Sequence, residues 1–284
     1  MAELDDFFEP DGIAVVGATD KAGKIGNVII NILLKKVREG TLDADVYPVN
    51  PKLASIEGEH CYDSVSDIEE PVDLAVIAIP APLVPGTIEE CGKHGIRSAV
   101  IITGGFGELG EEGKQLEREI SDLSDEYGVR IIGPNCVGIY DSVSGVDTVF
   151  IPDDRMSRPG PGPISFISQS GAFVNTMLDW VAMEGFGLNK CISYGNRVDV
   201  NEVDLLEYLK DDERTEVITM YVEGVDEGRE FLRTTRPVSR EKPIIAVKSG
   251  RSEAGASAAS SHTGSLSGSD NVYTAAFKQA GILR

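Results

Sequence analysis

Several things are scarce in this sequence, and each scarcity argues against a class of function. Its four cysteines, Cys61, Cys91, Cys136 and Cys191, are far apart and form no CxxC pair. That spacing suggests neither a disulfide framework nor a zinc site, so reduced thiols in a cytoplasmic protein are expected and no metal site is. No stretch is apolar for the length that a membrane span needs. The opening residues, MAELDDFFEPDG, are acidic and lack the basic-then-apolar order of a signal peptide. Positive charge is the greatest shortage: 26 Lys and Arg stand against 47 Asp and Glu, for a formal net charge of -21. Such a surface repels nucleic-acid phosphates and anionic lipid, so neither nucleic acid nor membrane is an expected partner. It also obliges any phosphate site to use backbone amides, helix N-termini or a few placed cations. Strong acidity with few lysines fits a protein adapted to high salt, where screening removes self-repulsion.

What is present is a regular alternation of strand and helix over 284 residues, enough for two domains, with 41% apolar residues spread along the whole length. GIAVVGA (12–18) reads as a buried strand entering a glycine turn. Residues 24–39 then place Ile25, Val28, Ile29, Ile32, Leu33 and Val37 on one helical face, ended by Gly40. DVYPVNP (45–51) is a short strand, and VDLAVIAIP (72–80) and SAVIITGG (98–105) are the near-continuous apolar runs of parallel strands covered on both faces. Helices are expected over 83–94 and 111–127, with a strand in VRIIGP (129–134). The pattern is a doubly wound α/β sheet. SRPGPGP (157–163) reads as a linker, dividing a unit 1–150 from a unit 151–284. The second unit repeats the alternation, with helices at 171–184, 202–210, 227–236 and about 270–280, and a small-residue loop at 252–269. The chain stops at AFKQAGILR, where another strand would begin, as in a piece of a longer protein or a naturally short chain.

Two turns and one histidine carry the chemistry. VVGATDKAGKIG (15–26) lies between a strand and a helix, where open α/β sheets hold phosphates. Its G-A-T-x-x-x-G-x-x-G spacing is not the dinucleotide fingerprint. The next strand ends in Asn50-Pro51-Lys52, with no carboxylate for a ribose 2′-hydroxyl. A lysine there suits a phosphorylated ribose, whether of CoA or of NADP. Gly17, Gly23 and Gly26 could equally serve only a tight turn and close helix packing, and Lys52 alone could be a solvated charge. Ser168-Gln169-Ser170-Gly171 opens a helix in the second unit, either as an anion nest or as ordinary N-capping. His262 sits among Ser, Ala and Gly with no apolar neighbours, suiting a nucleophile on an open loop or a plain exposed side chain. Glu223, at the end of TEVITMYVEG, is placed to orient such an imidazole. His60 and His94 have no chemistry around them.

These segments resemble the acyl-CoA synthetase (NDP-forming) family: the α subunit of succinyl-CoA synthetase and, more closely, the α part of archaeal ADP-forming acetyl-CoA synthetases. The resemblance runs in order through VVGAT, YPVNPK, VIAIPAP, ITGGFGE, IGPNCVGI, SQSGAF, MYVEG and ASSHTGSLSGS. It implies a Rossmann-like CoA-binding domain followed by a flavodoxin-like α/β domain with a phosphohistidine loop. Gly17, Ala18, Thr19, Asn50, Pro51, Lys52, Ile79, Pro80 and Ala81 would line the CoA site. Thr103 and Gly104 would approach the pantetheine arm, and Asn135 and Cys136 the thioester end. Ser168, Ser170 and Gly171 would hold phosphate, Glu223 would orient the nucleophile, and His262 would be phosphorylated. CoA and phosphate are then substrates, and Mg-ADP/ATP is expected on an ATP-grasp β subunit or fused domain, for which these residues show no signature. ITGGFGE departs from the succinate enzyme's counterpart towards the acetate branch. The competing readings are an NADP-linked oxidoreductase, which leaves the SHTG loop unexplained, and a non-catalytic CoA-binding or regulatory module.

Overall fold

The computed structural model describes residues 2–250 and 270–284. In chain order the first half runs β1 (Gly12–Val16), α1 (Ile25–Arg38), β2 (Asp45–Val49), a small hairpin of β3 (Ser55–Ile56) and β4 (Glu59–His60), β5 (Leu74–Ile77), α2 (Val84–His94), β6 (Ser98–Ile101), α3 (Glu111–Tyr127) and β7 (Arg130–Ile132). The five long strands make one parallel sheet in the order β2-β1-β5-β6-β7. β1, β5 and β6 are buried at every position, which is why they read as apolar runs without alternation. Alternate residues go to opposite faces: Ile13 and Val15 pack with Ile29 and Leu33 of α1, whereas Ala14 and Ile77 pack with Ile88 of α2 and Ile120 of α3.

The second half continues with β8 (Ile139–Asp141), β9 (Pro161–Ser168), α4 (Gly171–Met183), β10 (Leu188–Ser193), α5 (Glu202–Asp211), β11 (Val217–Val222), α6 (Gly228–Glu241), β12 (Ile244–Lys248) and α7 (Asp270–Ala280). Its sheet has the order β12-β11-β9-β10-β8 and is parallel apart from β8. Leu283 bridges Ile245 in parallel, extending the sheet past β12. In both sheets the chain reverses its direction of travel around a central strand, β1 or β9, so the residues leaving those strands stand at topological switch points. The α/β architecture is as the sequence predicts. No helix among the described residues is long and apolar enough to cross a membrane.

The structure adds several local details. Residues 139–141, within the expected first unit of 1–150, pair with β10 of the second sheet. SRPGPGP is anchored rather than a free linker: Arg158 is held by buried Asp147 at 2.8 Å, and β9 already begins at Pro161. Gly162 serves a close approach, since a β-carbon on it would lie 2.3 Å from Gly187. The helix expected to end at 236 runs through Pro237 to Glu241. His60 belongs to β4, with its ring 4.7 Å from that of Tyr62.

Candidate functional site

The residues expected to bind CoA occupy the carboxyl ends of five neighbouring strands: Asn50–Lys52 after β2, Gly17–Thr19 after β1, Ile79–Ala81 after β5, Thr103–Gly104 after β6 and Asn135–Cys136 after β7. Three of the four junctions between these turns carry a hydrogen bond, and at the fourth Gly17 lies close against Ala78. Asn50 Nδ2 donates to the Ala18 carbonyl at 2.7 Å, Thr103 Oγ1 to the Ile79 carbonyl at 2.6 Å, and Asn135 N to the Thr103 carbonyl at 2.8 Å. The result is one continuous ledge along the sheet edge.

Gly17 adopts φ +90°, a left-handed conformation that favours glycine. A β-carbon on it would lie 2.5 Å from the Ala78 carbonyl, and one on Gly26 would lie 2.0 Å from the Gly17 carbonyl. The glycines thus meet the packing role and, through it, bring the start of α1 against the β1 turn. No side chain caps α1, which leaves its first N–H groups for an anion. Lys52 is exposed, with its backbone N–H bonded to Asn50 Oδ1. Cys136 faces inward: its thiol is buried, donates to the Ile101 carbonyl at 3.3 Å, and is pushed up to about 12 by burial. Only its backbone can meet a ligand.

In the second half, the two serines of the SQSG turn are occupied locally. Ser170 caps α4 by accepting from Phe173 N, and the Ser168 hydroxyl, accepting from Ser170 N, folds the turn. For an anion there remain the N–H groups of Gly171 and Ala172 at the start of α4, where Gly171 sits close to Val137 of the preceding segment. Gln169, unassigned by sequence reasoning, is the important member. Its Oε1 accepts from the N–H groups of Glu223 and Gly224, and its Nε2 donates to the Gly224 carbonyl at 2.9 Å. One side-chain amide therefore pins the segment carrying Glu223, which is buried, beside the start of α4. His262 lies outside the described residues.

A polar cleft of about 160 Å³ brings Gln169 and Glu223 together with Glu108 of the GGFGE stretch and with Asn196 and Arg197. Burial opposes charge on Glu108, but hydrogen bonds from Gly105 N, Asn196 Nδ2 and Phe106 N outweigh it and hold its carboxyl below the usual value. Arg197 donates to the Gly224 carbonyl at 2.7 Å and pairs with Glu202 and Asp226. Neither Asn196 nor Arg197 stands in a motif that sequence reasoning singled out. Their left-handed neighbourhood, φ +51° at Gly195 and +52° at Arg197, leaves no mark in the sequence beyond the glycine. Among the described residues no group of three or more His, Cys, Asp or Glu is arranged to hold a metal ion.

Residues 11–142 match the family of CoA binding domains, and residues 161–284 match the succinyl-CoA ligase like flavodoxin domain. The chain is 47% identical over 285 residues to the ADP-forming acetate–CoA ligase I subunit alpha of Pyrococcus furiosus, covering 99% of this chain and 60% of that one. It is 45% identical over 280 residues to the ADP-forming acetate–CoA ligase I of Archaeoglobus fulgidus, covering 99% of this chain and 39% of that one. The solved structure of the dinucleotide forming acetyl-coenzyme A synthetase 1 of Ca. Korarchaeum cryptofilum, in complex with phosphate and ADP, aligns at TM-score 0.91 and 41% identity, over 100% of this chain and 59% of that one. The chain spans three-fifths or less of these relatives. Along its own length it is a homologue of the α part of the ADP-forming acetate–CoA ligases, a CoA-binding domain followed by a succinyl-CoA-ligase-like flavodoxin domain.

Proposed function

We propose that this chain is the CoA-binding, phosphohistidine-carrying part of an ADP-forming acyl-CoA synthetase, with acetyl-CoA as the favoured substrate. In this reading acyl-CoA and phosphate give acyl phosphate and free CoA. His262 takes the phosphoryl group and releases the carboxylic acid, and the phosphohistidine then passes its phosphoryl group to ADP. The observation that carries the reading is the pinning of Glu223 beside the start of α4 by Gln169, at one end of a ledge of five strand-end turns. A carboxylate carried on a backbone anchored in that way can set the tautomer of an incoming imidazole, and the helix start can hold the phosphate.

On the ledge, Gly17–Thr19 with the start of α1 take the phosphates of CoA, and Lys52 with Asn50 and Pro51 the phosphorylated ribose. Ile79–Ala81, Thr103 and Gly104 follow the pantetheine arm, with Asn135 and the Cys136 backbone at its thiol end. Ser168, Ser170 and Gly171 shape the phosphate site. The two functional units are residues 1–150 and 151–284, with β8 structurally part of the second. Mg-ADP binds an ATP-grasp partner chain or fused domain, so this chain alone makes no ATP, and the assembly is cytoplasmic.

The test is to incubate the chain with its ATP-grasp partner and γ-labelled ATP and look for acid-labile, base-stable label. His262→Ala should carry none. Glu223→Gln should be labelled far more slowly, by up to about 10⁴-fold, as when an orienting carboxylate becomes an amide. Label retained in His262→Ala would place the nucleophile elsewhere and end this assignment.

A further inference from the structure

The loop after β10 joins two stations that the reading above keeps separate. Its backbone is laced to the end of the first sheet: Asn196 N donates to the Pro134 carbonyl at 2.9 Å, and Val198 N to the Gly133 carbonyl at 3.1 Å. Gly195 comes so near that a β-carbon on it would lie 2.2 Å from the Pro134 carbonyl oxygen. From this position consecutive side chains reach in different directions. Asn196 Nδ2 donates to Glu108 Oε2 and to Glu117 Oε1, both at 2.7 Å, and its Oδ1 accepts from Asn135 Nδ2 at 3.2 Å. Arg197 instead reaches the Gly224 carbonyl and Asp226, beside Glu223.

The bonds of Asn196 fix its amide orientation, because two carboxylates take the donors and an amide donor takes the oxygen. Through Glu108 its effect travels one step further. The other oxygen of Glu108 accepts from Gly105 N at 2.5 Å and Phe106 N at 3.2 Å, closing the loop that follows Thr103 and Gly104. A β-carbon on Gly104 would lie 3.1 Å from Asn135 Oδ1 and 3.2 Å from Glu108 Oε1, so these groups set the width of the passage there. One side chain from the second half thus holds the two first-half turns expected at the pantetheine arm and at the thioester end of CoA.

We infer that Asn196 is a positioning residue for the acyl half-reaction, holding the β6 and β7 turns in register with the Glu223 segment that Arg197 grips. The inference rests on the function proposed above. In that half-reaction a phosphate oxygen bonds to the thioester carbon, the carbon–sulfur bond breaks, and the proton of hydrogenphosphate ends on the departing CoA thiol. Misplacing the thioester against the phosphate would slow this step. Transfer of phosphate between ATP and the histidine uses no CoA and would pass the lesion by.

The experiment uses the assembled enzyme with its ATP-grasp partner and reads the two halves apart. Asn196→Asp sets a third carboxylate between Glu108 and Glu117, in a cleft also lined by Glu223, Asp226, Lys114 and Arg197. Asn196→Ala removes the amide without adding charge and serves where the aspartate variant folds poorly. Conversion of acetyl-CoA and phosphate to acetyl phosphate and CoA should fall roughly a hundred-fold in either variant, mainly in kcat. Labelling by ATP in the absence of CoA should stay within roughly three-fold of the parent, a change worth less than about 1 kcal/mol. Equal losses in both halves, or no loss in the acyl half, would overturn the inference. A parent enzyme that takes no label from ATP would instead overturn the function on which it rests.

Discussion

At the scale of single residues, the first-half site depends on glycines that cannot be replaced. Gly17→Ala would force a side chain into a left-handed φ of +90° and its β-carbon to 2.5 Å from the Ala78 carbonyl. The expected cost is roughly 2 kcal/mol or more of stability. CoA binding, measured by calorimetry, should fall at least about ten-fold, because the β1 turn would have to move off the ledge. Unchanged affinity would remove Gly17–Thr19 from the CoA site. This glycine was legible in the sequence because a strand-to-helix turn with a close approach needs one. Gln169, Asn196 and Arg197 were not legible as site residues. Their partners lie 54 to 88 positions away in Glu223, Gly224 and Glu108, or 27 positions away in Gly224, and a polar side chain carries no periodic signal of where it reaches. Cys136 shows the converse: the resemblance placed it near the thioester end, and tertiary packing turns its thiol to the core.

At the scale of elements, patterning located the long strands and helices well because they are buried in runs or on one face. It missed β3, β4 and β8, which have two or three residues each and exist through their pairing partners. β8 is secured by a buried charge cluster. Lys190, 2% exposed on β10, lies 3.0 Å from Asp141 of β8 and 3.4 Å from Asp212 after α5, and its ammonium stands over the Phe8 ring. Lys190→Met would leave two carboxylates without their shared cation and should cost about 3–5 kcal/mol in denaturant unfolding. Lys35, which pairs with Asp153 on the surface, offers the control: Lys35→Met should cost about 1 kcal/mol or less. A similar small loss for both would mean that β8 is held by its backbone ladder alone. Proline removes one helical donor, yet α6 runs through Pro237, past the expected end at 236, with Phe231, Thr234 and Val238 of this helix buried.

At the scale of the whole molecule, charge is the dominant property. A formal net charge of -21 on 284 residues makes self-repulsion a large opponent of the compact state at low ionic strength. Raising KCl from about 0.1 M to about 2 M should lift the midpoint of thermal unfolding by roughly 5 °C or more, as screening shortens the reach of that repulsion. A stability maximum at low salt would refute the adaptation to high salt that the composition suggests.

The two halves also share one apolar cluster, which includes Ile13 and Leu33 of the first and Ile167, Ile192 and Leu206 of the second. The lacing of the 196–200 segment onto β7 continues there, with Val200 N donating to the Ile131 carbonyl and the Asp199 carboxylate accepting from Ile131 N. Parting the halves like a jaw would sever this seam and wet its core. The seam therefore opposes a hinge motion between the halves, so any movement the proposed reaction requires falls to smaller segments.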